Sequence, residues 1–179
     1  MNLKQIWKPL LALVLACGVL LGLSAVLQPV AQAKQQEHDR MVMGYLLMDS
    51  ETFEEEAYTG EDPAITAVYK GETGYVVETE VDGYADKMTL WVGVKNDGYV
   101  TGITVRDLDE TPGLGRKTAS DVDFLLQFLR GTGTSAVGED IDAVTGATVS
   151  SKAVTKAVNA AVGFVTGADV SSAATEWGG

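Results

Sequence analysis

Four short runs of β-branched and aromatic residues lie between Ile65 and Val105, separated by polar and glycine-bearing breaks. They are Ile65–Tyr69, Gly74–Val81, Met88–Val94 and Tyr99–Val105. Side chains of this kind suit a pleated, half-buried surface better than a helix. Gly71-Glu72-Thr73-Gly74 and Asn96-Asp97-Gly98 have the composition of hairpin turns, so consecutive runs should pair antiparallel. A four-stranded meander follows.

Two helices are predicted to pack on that sheet. The first spans Ser120–Leu129, with Ser120 as the cap, Asp121 and Asp123 in the first turn, and Phe124, Leu125 and Phe128 on one face. The second runs from about Val149 to Phe164. There Val154, Ala157, Val158, Ala161 and Val165 follow the spacing of one buried face, and Gly167 ends the helix. The expected class is α+β, an antiparallel sheet with packed helices, in a domain spanning 61–166 with a tail at 167–179.

Ahead of this domain, Leu10–Val30 is apolar apart from Ser24, Gln28 and Pro29 and carries no charge. About 20 such residues cross a bilayer core as a helix. Lys4 and Lys8 precede the run and every Asp and Glu follows it, so residues 1–8 are expected in the cytoplasm, 9–30 in the membrane and the body outside. Ala31-Gln32-Ala33 has the form of a signal-peptidase site, but the apolar run exceeds the usual length, so a retained anchor is expected. Cys17 is read as a residue packed in that helix. Residues 31–60, with Glu54-Glu55-Glu56, read as an acidic, solvated stalk, with a mildly amphipathic stretch at Met41–Leu47.

The formal net charge is −12, which argues against nucleic acid, since phosphate backbones need clustered Lys and Arg. One cysteine, Cys17, and one histidine, His38, leave no disulfide framework, no His/Cys metal site and no Ser-His-Asp triad. No catalytic residue and no metal ligand is assigned.

Two segments carry chemistry. Glu110-Thr111-Pro112-Gly113-Leu114-Gly115 is at least a type II turn, with Pro112 fixing φ and Gly113 supplying the positive φ. Ile141–Ser151 gathers Thr145, Thr148, Ser150 and Ser151 at a helix start. Its plain structural role would be capping. Free N–H groups and the positive helix end also suit a phosphate, although the segment lacks the Lys of a Walker loop and the spacing of a dinucleotide fingerprint.

Asp142-Ala143-Val144-Thr145-Gly146-Ala147-Thr148 resembles the D-x-x-[S/T]-G-A-[T/S] segment on which a flavin transferase attaches FMN covalently. Together with the Glu110–Gly115 turn, and behind one N-terminal anchor, it resembles the G subunit of the Rnf ion-translocating electron-transport complex. That family shares its FMN-binding domain with the C subunit of the sodium-pumping NADH:quinone reductase. The resemblance covers Gly74 to Phe164. It implies that Thr148 bears FMN as a phosphoester, that Asp142, Thr145, Gly146 and Ala147 form the recognition segment, and that Glu110, Thr111, Pro112, Gly113, Leu114 and Gly115 lie beside the flavin. Val149 departs from the family by standing where a hydroxyl residue is frequent.

The resemblance also implies the setting. The chain is expected to be a redox subunit of an ion-translocating oxidoreductase complex, without a complete active site of its own. Ferredoxin:NAD electron transfer would be coupled to Na⁺ or H⁺ movement, with the other membrane subunits, a flavin transferase and membrane lipid as partners. Such a carrier needs no general base, because the isoalloxazine does the redox work. Two other readings stand beside it: a stand-alone anchored FMN protein that reduces an extracellular acceptor, and a non-redox surface binding module. Whether Tyr75, Tyr84, Tyr99 or Trp91 touches the flavin is left open, core packing being the expected role of each.

Overall fold

The computed structural model describes residue 29 and residues 32–84, 87–108, 118, 120–131 and 135–168. The expected span at 9–30 (Pro29 apart), the Glu110–Gly115 turn and the tail beyond Ala168 lie outside the described residues. Among those described, no helix is long and apolar enough to cross a membrane.

The chain divides into two units, Met1–Met41 and Val42–Gly179. Residues 32–46 are helical (α1), and those described in the first unit are almost all exposed. The second unit begins well before residue 61, where composition places the domain edge. Met43, Leu46 and Leu47 fall at i, i+3 and i+4 and are all buried. A free stalk would leave that stripe in water, so the segment packs on the sheet instead.

The sheet has five strands in the order β1-β2-β3-β4-β5, every neighbouring pair antiparallel. β2 (Ile65–Lys70), β3 (Gly74–Asp82), β4 (Lys87–Lys95) and β5 (Val100–Leu108) are the four expected runs. β1 (Glu54–Glu56) was not expected, and its three glutamates are all exposed. It is a strand because its backbone pairs with Val68–Lys70, while its charged side chains guard the open edge of the sheet. Glu72 ties the preceding segment to the β2–β3 turn by accepting from the Glu51 and Thr52 amides at 3.0 and 3.1 Å. The Thr52 hydroxyl first, then the backbone amides of Glu72 itself and of Thr52, hold its carboxyl down at about 2.

Period-two alternation sends β3 and β4 side chains to two separate cores. Val77, Val81, Met88, Leu90, Val92 and Val94 join the main core with the helices. Val76 and Trp91 point the other way and pack with Met43, Leu46 and Leu47. Trp91 is therefore a core residue of the outer face, its indole N–H donating to Glu78 at 2.7 Å and Arg106 lying 4.1 Å over its ring. Tyr75 packs edge-on against Phe164. Tyr84 and Tyr99 depart from the core reading, being 71% and 40% exposed.

The first helix on the inner face, α2 (Val122–Leu126), continues as a 3-10 turn over Gln127–Arg130. Its cap is Asp121 rather than Ser120: the Asp121 carboxylate accepts from the Phe124 amide at 3.1 Å. The second, α3 (Thr148–Thr166), ends at Gly167 as expected. It is buried almost all round rather than on one stripe: one side lies on the sheet, and Tyr58, Ile141 and Val144 of the neighbouring segments pack into the same core.

Candidate functional site

α3 lies chiefly along β3 and β4. Its 19 residues span about 28 Å, close to the length of a nine-residue strand. Phe164 meets Tyr75 at the start of β3, so the N-terminal end of α3 points toward the finish of that strand. There β4 begins and β5 ends, Met88 pairing with Leu108. Thr148 and the point where the chain leaves β5 toward Glu110 thus share one end of the sheet.

The segment before α3 is pinned at three buried residues, Ile141, Val144 and Ala147. Between and after them Asp142, Thr145, Gly146, Thr148 and Val149 face outward and are exposed. Ala147 N–H donates to Val144 C=O at 2.9 Å, closing a four-residue turn. Gly146 occupies its third position at φ 80°, and no other described residue type than glycine takes a positive φ. This is a type II turn, and its third position requires Gly146 for conformation.

Two side chains hold the segment: Gln127, which sequence reading did not single out, and Ser151, one of the hydroxyls expected at the helix start. The Gln127 amide brackets the backbone of Asp142, accepting from its N–H at 2.8 Å and donating to its C=O at 3.2 Å. Ser151 Oγ accepts from Val144 N–H at 3.1 Å and donates to Ala147 C=O at 3.0 Å. An amide serving a loop from another element leaves no periodic signal, which is why Gln127 was not legible. Gln127→Ala should lower the extent of any modification at this segment several-fold while the melting temperature falls only modestly, about 1 kcal/mol being typical for such a bond. Time-resolved intact mass beside a melting curve checks this.

Neighbouring serines should behave oppositely. Ser150 Oγ is buried without a hydrogen-bond partner, so Ser150→Ala is expected to leave stability unchanged or raise it. Ser151→Ala strands the buried Val144 amide and should cost about 1–3 kcal/mol. Urea midpoints of the two variants separate the cases.

The helix start itself has an unusual make-up. Its cap position falls on Ala147, with no side-chain cap and no acidic residue in the first turn. Capping therefore does not account for the hydroxyls gathered here. Thr148 is the first helical residue and is exposed, and among the described residues its hydroxyl has no partner in the fold. No side chain caps the first-turn N–H groups, and with the positive helix end they suit water or an external anion. A cleft of about 710 Å³ lies elsewhere, lined by the 56–63 segment with Ala160, Gly163 and Phe164 toward the other end of α3, and takes in none of the expected site residues.

Of the expected site residues, the structure thus brings Asp142, Thr145, Gly146, Ala147 and Thr148 into one exposed turn and helix start, with Ala147 alone turned inward. The Glu110–Gly115 group lies outside the described residues.

Comparison with known proteins gives a consistent result. Residues 83–163 match the FMN-binding domain family. The G subunit of the Na(+)-translocating ferredoxin:NAD(+) oxidoreductase complex of Acetobacterium woodii is 38% identical over 99 residues, covering 50% of this chain and 47% of that one. The G subunit of the proton-translocating ferredoxin:NAD(+) oxidoreductase complex of Clostridium ljungdahlii is 34% identical over 76% of this chain and 77% of its own. The G subunit of the ion-translocating oxidoreductase complex of Methanosarcina acetivorans is 30% identical over 90% and 95%.

Proposed function

The chain belongs to the family of G subunits of ion-translocating oxidoreductase complexes, and from that premise we propose that it is the covalently flavinylated electron carrier of such a complex. One observation carries the reading. An exposed threonine hydroxyl opens a long helix whose cap position is an alanine, in a segment matching the FMN-binding domain family.

Thr148 Oγ would hold FMN through a phosphoester. The first-turn N–H groups of α3 face the charge that a phosphodiester retains, in a protein otherwise strongly acidic. Gln127 and Ser151 keep the turn rigid, so that a flavin transferase meets Asp142, Thr145 and Gly146 in one fixed arrangement. Attachment forms a bond from Thr148 Oγ to phosphorus, breaks the phosphoanhydride bond of an activated flavin donor, leaves the donor's other half as a free phosphate monoester, and releases the hydroxyl proton to solvent. FMN, when bound, supplies the electron-accepting and electron-donating chemistry. This chain's own residues position it, and the covalent bond prevents its loss by dilution outside the membrane.

The apolar segment 9–30 supports a single-pass anchor with the N-terminus in the cytoplasm and the domain outside. Integral subunits of the complex and membrane lipid are the partners in this reading, and electrons pass through the chain between them during ferredoxin:NAD transfer. One relative is named for sodium and another for protons, so the coupling ion is left to direct measurement. The test is co-expression of the full chain with a flavin transferase, followed by intact and peptide mass measurement. An FMN-sized increment on the peptide carrying Thr148 is expected; an unmodified chain, or an increment on another residue, ends the proposal.

A further inference from the structure

Thr148, Lys152 and Lys156 succeed one another at i, i+4 and i+8 on α3, forming one row along one face. From Ser150 to Gly163 every residue of the helix is buried except these two lysines, which are half-buried. They are the only charged residues of the helix.

Lys70, Lys87 and Lys95 each pair with an acid, respectively Glu56, Glu80 and Asp49. Lys152 is also engaged. Among the described residues Lys156 has no ionic partner, and unlike Lys34, which also has none but is exposed, it is half-buried, in a protein that carries 25 acidic residues. A half-buried lysine whose ammonium meets no carboxylate of the described residues is able to take an anionic ligand. Side chains on a helix lean toward its N-terminus, so both lysines reach back toward Thr148. Lys152 lies about 6 Å and Lys156 about 12 Å along the axis from it.

We infer that Lys152 and Lys156 form a cationic rail for the flavin borne on Thr148, Lys152 serving the phosphoester end and Lys156 the ring system. The inference rests on the attachment proposed above. Each electron entering the ring adds one negative charge unless a proton follows it. A fixed ammonium lowers the energy of that added charge and so favours the reduced form. The lysines are positioning and tuning residues; they take no part in making or breaking the phosphoester.

The experiment is a reductive titration of the purified, flavinylated full chain with dithionite against a reference redox dye, followed by visible absorbance. At a fixed potential the reduced-to-oxidised ratio should fall roughly tenfold in Lys156→Gln. Lys156→Met, which retains the apolar stem for a half-buried position, should give the same fall, and Lys156→Arg should keep the parent ratio. Lys152→Gln should shift the ratio in the same direction. Parent-like titration of both Lys156→Gln and Lys156→Met, with the FMN mass still present on Thr148, overturns the rail and leaves the attachment intact. A parent chain without the adduct overturns the attachment, and the rail with it.

Discussion

Thr148→Ala, co-expressed with a flavin transferase, is expected to leave the membrane colourless, at its unmodified mass and as stable as the parent. The loss of flavin should be complete, because a phosphoester needs an oxygen and alanine has none. Folding should survive for separate reasons. Thr148 is exposed, and among the described residues no hydrogen bond of the fold uses its hydroxyl. Alanine is also a better helix former, so the change in stability should stay within about 0.5 kcal/mol. Thr148→Ser keeps the acceptor oxygen and should regain at least part of the adduct. Intact mass, flavin absorbance and a melting curve on the three proteins decide the matter. A full adduct on Thr148→Ala would place the attachment elsewhere.

The second large effect concerns stability. Gly93 on β4 stands directly opposite Gly102 on β5, and together they leave a notch in the outer face of the sheet. Leu46, at the end of α1, sits in it. A Cβ on Gly93 would fall on the Leu46 carbonyl oxygen, closer than real side-chain contacts allow, and one on Gly102 would lie 2.9 Å from Leu46 Cδ2. The first obstacle is backbone and cannot rotate away, and the same carbonyl accepts from Thr101 Oγ1. Gly93→Ala must therefore unseat the segment that covers Trp91 and Val76. Overpacking and the lost hydrogen bond together should cost about 3 kcal/mol, or about 10 °C in melting temperature. Gly102→Ala meets a flexible leucine end and should lose less. Thermal melts with tryptophan fluorescence report both, since Trp91 lies beneath the seat.

Position within the fold also explains which features could be read in advance. β2 to β5 were legible because their side chains alternate and glycine turns bracket them. β1 was not, because Glu54–Glu56 contains no apolar residue and owes its conformation to the neighbouring backbone. The stripe Met43, Leu46 and Leu47 was visible as amphipathic, but its destination depended on two glycines meeting across strands far along the chain.

The site divides along the same line. Local sequence pointed to the turn and the helix start, because these are encoded by a few adjacent residues, and the family resemblance then singled out Thr148 among the hydroxyls gathered there. Only the tertiary structure decided that the cap is Ala147, that Gln127 and Ser151 hold the turn, and that Lys152 and Lys156 are the half-buried exceptions of a buried helix. Hydrogen bonds between elements and the burial of a helix on several sides arise from packing at a distance. That part of the molecule carries no local period, and it exists only once the chain has closed on itself.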